Sequence, residues 1–439
     1  YKKFWNIINT KRNSQVSIDI VKEGELLSPS EVATELNSFF SSVFSDESQL
    51  PLELQPAYVL TFMSGITITP EGIECAIDRL SNNSAPGPNG ICPKLLKITK
   101  PIIACILAAI FQQSLDTGII PDDWKIARVV PVFKSGDRSE LSNYRPISLT
   151  SIPCKILEHI TSSAVMTYLT KHNFFYIHQH EFLRGRSCET QLFELVTNLH
   201  QAVHDSSQID AIFIDFAKAF DKVLHKRLMM KLARLNINSS VLNWIAAFLT
   251  KRYQYVSVND HHSPLTEVKS GVPQGSVLGP ILFLVYINDV GNNLSSNVRL
   301  FTDDCVIYRK INSSEDSNTL QTDLDNIVNW CEDWRMQMNA FKTKAMTFTR
   351  STNMHLNSYS INNTAIENVS TLKYMVVYLS SNLTWNEHID AIISKASKTL
   401  GFIRRNLYLA SQSTELLAYT SLVRSKLDYA SIIWNPNQA

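Results

Sequence analysis

The chain has 439 residues, 44% of them hydrophobic and 18% charged, with a formal net charge of +1. That length points to two or three packed units, and the composition excludes global disorder. A charge balance so close to zero excludes a strongly basic protein, so any affinity for nucleic acid must come from local basic patches.

The start, "YKKFWNIINTKRN", has no apolar signal core and no initiator Met, and reads as an internal cut; the last residues, "SIIWNPNQA", read the same way. Residues 1–65 form a linker carrying one amphipathic helix, "SEVATELNSFFSSVF". A helix is expected at Pro70–Leu80, with Thr69 as N-cap and Ile73, Ala76, Ile77 and Leu80 on one face. The Pro and Gly density of "SNNSAPGPNGICPKLLK" then forces an extended turn. "IIACILAAIF", Ile102–Phe111, is too short to span a bilayer and reads as a core helix. Asp116–Arg145 holds short strands such as "ARVVPVF", and Pro153–His172 is helical. "IDAIFIDF", Ile209–Phe216, has the unbroken apolar run of a central strand buried on both faces, ending in a carboxylate. Lys222–Leu249 is helical. "LFTDDCVIY", Leu300–Tyr308, reads as a hairpin with Thr302–Asp304 near its tip. A helix at Asn318–Trp334, a strand near Ala345–Thr349 and a helix from His388 to Leu407 follow. The last of these would turn Ile389, Ile392, Ile393, Ala396, Leu400 and Ile403 inward. This order specifies an α+β fold, one sheet with helices on one face. The seven cysteines show neither C-x-x-C nor zinc spacing and are expected as reduced intracellular thiols.

Two adjacent aspartates wrapped in apolar residues need a reason. Like charges repel, and burial makes the repulsion worse. A divalent cation removes the difficulty, and if the strand ending in Asp215 lies beside the hairpin, three oxygen ligands converge. Hard oxygen donors suit Mg2+, which also takes waters and phosphates. Two such ions about 3.5–4 Å apart activate a hydroxyl and stabilise a leaving pyrophosphate. Taken alone, each carboxylate has a plainer reading: Asp303 and Asp304 as ordinary turn residues, Asp215 as a strand end.

The set as a whole is more specific. "AIFIDFAKAFDKVLHKRL", "SGVPQGSVLGPILFLVYINDV" and "LFTDDCVIY", in that order, resemble motifs A, B and C of the reverse transcriptases of non-LTR, LINE-type retrotransposons related to jockey. "SAPGPNGI", "IARVVPVFKSGD" and "NYRPISLTSIPCKILEHI" resemble that family's N-terminal and fingers motifs. "WRMQMNAFKTKAMTF" resembles its motif D, and "LKYMVVYLSSNLTWNEHI" its region after the palm. The resemblance runs from about Phe4 onward.

It implies a right-hand polymerase fold: a linker at 1–65, N-terminal extension and fingers at 66–208, palm at 209–350, and the motif E region with a thumb at 351–439. It implies an RNA-directed DNA polymerase using Mg2+ or Mn2+, with RNA template, DNA primer and dNTPs as partners. It implies no membrane partner and an intracellular location, in nucleus and cytoplasm as a ribonucleoprotein. Asp215 and Asp303 would be the principal metal ligands, with Asp304 their partner. Phe220 would be the steric gate against a ribonucleotide 2′-OH. Gly271, Pro273, Gln274 and Gly275 would form the turn that cups the incoming base pair. Lys134 and Arg145 match the fingers positions that hold a triphosphate, and Lys342 the motif D lysine, a general acid for pyrophosphate. On chemistry alone Phe220 is equally a core aromatic, and the three cations equally solvated surface groups. The basic surplus after Thr371 suits a thumb gripping a phosphate backbone and equally an ordinary charged helix face.

Four departures stand out. Thr302 takes the place of the usual Ala before the two aspartates. Met375–Val376 replaces Leu-Gly, which is costly if the glycine needs positive φ. Glu181-Phe182-Leu183 replaces Gly-Phe-Arg, and Asn89 replaces Asp. Together they read as drift in an old element copy, which leaves a second hypothesis: a decayed or repurposed copy that binds RNA or RNA–DNA duplex without catalysis. A group II intron maturase is a third; the "NYRPISL" and "WRMQMNAFKTKAM" contexts favour the LINE-type branch. Nothing in the chain resembles the endonuclease that such elements encode upstream.

Overall fold

The computed structural model describes residues 18, 20–22, 25–45, 60–351 and 354–434. The rest of the expected linker and the last five residues lie outside that set. Apolar spacing and caps account for most helices. The amphipathic segment becomes α1 (Pro29–Ser42), which opens on a capping box between Ser28 and Glu31. α2 (Pro70–Arg79) starts at Thr69, whose hydroxyl accepts from Gly72 N–H, and it buries Ile73 and Ile77. The extended turn after α2 ends earlier than expected, because "PKLLKI" folds as α3 (Pro93–Ile98). The core helix is α4 (Lys100–Thr117), which buries Ala104, Leu107, Ala108 and Phe111 but leaves Ile102, Ile106 and Ile110 exposed.

Two five-stranded sheets organise the rest. The first runs β1 (Ile126–Phe133), β2 (Tyr144–Leu149) and, parallel to β1, β4 (Arg252–Val258), with Thr266–Val268 and His261–His262 on β4. α1 packs on it through Val32, Ala33, Leu36 and Phe40. α5 (Ile152–Lys171) and α6 (Cys188–His204) lead from it to the second sheet. Its centre is β3 (Gln208–Asp215), between the antiparallel strands β7 (Lys344–Phe348) and β6 (Asp304–Ile311); β5 (Asn297–Phe301) flanks β6, and β8 (Glu367–Asn368) runs parallel to β7.

Alternation along β3 feeds two cores. Ile212 and Ile214 join the cluster that holds α9 (Gly279–Ile287) and α10 (Ser314–Trp334). Ile209, Ala211 and Phe213 join the cluster of α6 with the hairpin β9 (Thr371–Tyr374) and β10 (Val377–Ser380). Helices therefore cover both faces, which corrects the expectation of one covered face. An unbroken apolar strand leaves no face for water. The stretch 222–249 is two helices, α7 (His225–Ala233) and α8 (Ser239–Leu249). α11 (Asn386–Asn406) buries His388, Ile392, Ala396 and Ile403, whereas Ile393, expected inward, is exposed. All seven cysteines are free thiols. Among the described residues no helix is long and apolar enough to cross a membrane.

Candidate active site

The site grows from one register. β3 and β6 pair antiparallel with Asp215 directly opposite Asp304, and Asp304 in turn faces Phe301 across the hairpin. Thr302 and Asp303 are thus the two-residue tip, as the sequence implies. Directly opposed residues share a face of the sheet about 5 Å apart at Cα, so the strand end and the tip place all three carboxylates in one neighbourhood.

Their electrostatics agree. Burial pushes the Asp215 carboxyl above its ordinary value, against the charges of Lys342 and Lys134, which favour its ionised form. Asp303 is raised by desolvation and by Asp215, with Arg145 and Lys134 opposing. Asp304 is pushed up to about 6 by desolvation, then by Asp303 and Asp215. Asp303 and Asp304 keep substantial exposure, so solvent screens part of this repulsion.

The side chains do not close into a ready-made cage. Among the described residues no three His, Cys, Asp or Glu side chains stand together as a group that could hold a metal ion. The expectation that all three carboxylates converge on one point is corrected to that extent. Repulsion between them opposes such convergence. As a donor set, oxygens only and mutually repelling, they still fit Mg2+, which needs one or two carboxylates and takes its other ligands from water and phosphate.

The cations expected around a triphosphate gather here. Lys134 follows β1 and Arg145 lies in β2 opposite Val132, so both stand at the same end of that hairpin. Burial lowers the Lys134 ammonium, and the neighbouring charges of Arg145 and Lys342 lower it further. Lys342 sits in a segment strapped to the end of β3: Asn339 N–H donates to the Asp215 carbonyl at 2.8 Å, and Asp215 N–H to Thr343 Oγ1 at 3.3 Å.

Phe220 is half-buried and stacks on Phe283, with centroids 4.5 Å apart and 12° between the planes. The turn Gly271–Gly275 is tied to the same stretch. Gly271 N–H donates to Val223 O at 2.7 Å and Val272 N–H to Phe220 O at 2.9 Å. A Cβ on Gly271, at φ +89°, would meet Asp221 Cα at 2.8 Å; one on Gly275, at φ +112°, would meet Ser148 O at 2.7 Å. Pro273 O accepts from Ser276 N–H at 3.0 Å, closing the turn. Gln274 Nε2 donates to both oxygens of Asp221 at 3.1 Å, and burial holds that carboxyl at about 6.

Sequence reasoning missed four supporting residues. Asp221, in "KAFDK", orients Gln274. Glu158, fully buried in α5, accepts from Val277 and Leu278 N–H at 2.7 and 3.2 Å and so anchors the turn from behind. Gln179 and Glu181 reach the aspartate hairpin itself. Gln179 Oε1 accepts from Thr302 N–H at 3.2 Å and from Glu181 N–H at 3.0 Å, and Thr302 Oγ1 donates to Glu181 Oε2. In the sequence Glu181 stands out only as a departure from the family pattern; desolvation, then Asp303 and Asp304, push its carboxyl up to about 7. Its unpatterned loop offers no periodic signal for such contacts.

Comparison with known proteins identifies the family. Residues 133–402 match the model of the family described as reverse transcriptase (RNA-dependent DNA polymerase). The chain is 28% identical over 345 residues to the probable RNA-directed DNA polymerase from transposon BS of Drosophila melanogaster, covering 76% of this chain and 38% of that protein. It is 28% identical over 335 residues to the RNA-directed DNA polymerase from mobile element jockey of the same organism, covering 74% and 36%. The chain thus spans less than two fifths of the length of either relative. With the family model covering more than half of it, this chain belongs to the reverse transcriptase family, on the branch of the jockey-like non-LTR retrotransposons.

Proposed function

We propose that the chain is an RNA-directed DNA polymerase that adds dNTPs to a primer 3′ end on an RNA template, by two-metal-ion nucleotidyl transfer. The observation that carries this is the pairing of Asp215 with Asp304 beside the hairpin tip, with Lys134, Arg145 and Lys342 acting electrostatically on those carboxylates. In this reading the first sheet and the N-terminal helices are fingers, the second sheet is the palm, and α11 with the helices after it is a thumb. Lys134 and Arg145 bind the triphosphate and orient it for in-line attack. Phe220, braced by Phe283, occupies the space a 2′-OH would need. The Gln274 turn supports the incoming base pair, and Lys342 delivers a proton to the departing pyrophosphate. Asp215 and Asp303 would hold Mg2+, with Asp304 beside them, and that ion when bound supplies Lewis-acid activation of the 3′-hydroxyl and charge neutralisation. The working form is an intracellular ribonucleoprotein.

The test is incorporation of dTTP on poly(rA)/oligo(dT) with Mg2+, for the chain and for Asp303→Asn. Loss of at least about a hundredfold in the variant is expected, because a carboxamide replaces one of the two carboxylates that would hold the Mg2+; equal incorporation refutes the reading. A duplex-binding copy without catalysis is the second reading, favoured by the positive φ of Thr302, Met375 and Val376. It predicts that both proteins bind an RNA–DNA duplex and neither extends the primer.

A further inference from the structure

The loop between α5 and α6 forms an extra edge to the sheet that carries the aspartates. Gln179 bridges to Leu300 in parallel; His180 N–H donates to Leu300 O at 3.0 Å, and Leu300 N–H to His178 O at 3.1 Å. The loop then delivers two side chains to one residue of the hairpin tip. Gln179 takes the Thr302 N–H at 3.2 Å, and Glu181 takes the Thr302 hydroxyl. Thr302 is 1% exposed and sits at φ +55°.

Two features here are unfavourable alone. A β-branched residue at positive φ costs on the order of 1–3 kcal/mol. A third carboxylate beside Asp303 and Asp304 adds like charge where charge is already crowded. They coincide in one contact, because the Glu181 carboxylate accepts the proton of the hydroxyl that the unusual backbone presents. Thr302 immediately precedes Asp303, so fixing its amide, its hydroxyl and its strand neighbour leaves the tip little freedom.

We infer that Glu181 and Thr302 act as a matched pair that positions Asp303, with Gln179 as the bridge between loop and tip. Glu181 is a positioning residue, since it touches the hairpin and not the reacting atoms. The inference rests on the polymerase reading for its consequence, although the contact itself does not. Preorganisation of this kind matters because an aspartate misplaced by about 1 Å loses much of its effect.

A double-variant cycle tests it by two readouts: dTTP incorporation, and Mn2+ affinity by electron paramagnetic resonance, which needs no turnover. Glu181→Ala and Thr302→Ala are each expected to weaken Mn2+ binding and lower kcat about three- to tenfold, with little change in the KM for dTTP. The double variant should be no worse than the worse single variant, since both break one contact. Glu181→Gln keeps an acceptor oxygen and Thr302→Ser keeps the hydroxyl; both are expected within about twofold of the parent chain. Losses that multiply in the double variant overturn the pairing, as does unchanged Mn2+ affinity in Glu181→Ala, or a loss in Glu181→Gln equal to that in Glu181→Ala. If an alanine variant does not fold, the Gln and Ser variants decide: loss of Mn2+ affinity in either overturns the inference. An inactive parent chain sinks the polymerase reading alone, because the Mn2+ series still judges the pair.

Discussion

Gly275 offers a sharp quantitative test of how the two sheets meet at the site. Its φ of +112° lies where side-chain-bearing residues essentially do not go, and a Cβ there would stand 2.7 Å from the Ser148 carbonyl oxygen in β2. In Gly275→Ala the backbone conformation alone costs on the order of 1–3 kcal/mol. The carbonyl it strikes is strand backbone and cannot swing aside as a flexible side chain would. Any retreat stretches the bond from Ser148 N–H to Gln274 O, now 2.8 Å, which is worth about 1 kcal/mol. Against this, alanine removes unfolded-chain entropy worth about 0.4–1 kcal/mol. The net expectation is a loss of about 1–3.5 kcal/mol, together with a raised KM for dNTP because Gln274 shifts. Urea unfolding followed by tryptophan fluorescence measures it, with Gly65→Ala as control. A Cβ on Gly65 meets only Asn238 Nδ2, at 3.6 Å, so its change should stay within about 0.5 kcal/mol. If Gly275→Ala unfolds at the same urea concentration as that control, the proposed contact between turn and strand is wrong.

Other expectations follow from neighbouring residues. Phe220→Ala should raise incorporation of rUTP relative to dTTP at least about tenfold on poly(rA), as removal of a steric block allows; an unchanged ratio discards the gate. The same variant loses its stacking on Phe283 and should be destabilised on the order of 2 kcal/mol, less than for a fully buried ring. The Asp221 carboxyl, raised from 3.8 to about 6 by burial, favours its protonated form in the folded chain. Its stabilising contribution is therefore full below about pH 4 and lost as pH rises through 6, by at most about 3 kcal/mol because part of the group is solvated. Urea midpoints compared at pH 4.5 and 7.5 should fall by more in the parent chain than in Asp221→Asn, where the raised Asp304 and Glu181 carboxyls still contribute their share; parallel pH dependence in the two contradicts the assignment. Met375 and Val376 form the two-residue turn between β9 and β10 at φ +44° and +73°, so the double change Met375→Asn, Val376→Gly should stabilise by about 1–2 kcal/mol in the same assay. No gain there means that the turn tolerates its side chains at little cost.

Much of this architecture is legible from residue pattern. The apolar run 209–216 identifies a central strand because both parities of its side chains are apolar, and each parity does find its own core. The same observation argues against helices on one face only, since a strand apolar at both parities needs both of its faces covered. Asp215, Asp303 and Asp304 are found because a strand end and a turn tip are local features. The residues that orient them are not local: Glu158 acts 119 positions from Val277, and Glu181 acts 121 positions from Thr302. Their partners are set by how loops cross a sheet edge, and no period in the sequence records that. Ile102, Ile106 and Ile110 fail in the opposite sense, since an apolar helix announces burial without saying how much of its circumference is covered.

The departures from the family pattern do not behave alike, and the difference bears on whether this copy works. Asn89 donates to Ser151 Oγ at 2.9 Å and to Asp123 at 3.2 Å, and its own oxygen takes Ile91 N–H at 3.3 Å, so its amide satisfies three groups. Thr302 and Glu181, two separate substitutions, meet in a single hydrogen bond at the aspartate hairpin. The Met375–Val376 turn shows positive φ with no evident compensation in the turn itself, on the hairpin that packs against the sheet through Tyr374, Val377 and Leu379. Thr302 and Glu181 are thus tied into one hydrogen bond beside the aspartates, whereas the Met375–Val376 turn keeps an unfavourable backbone with nothing in the turn to offset it.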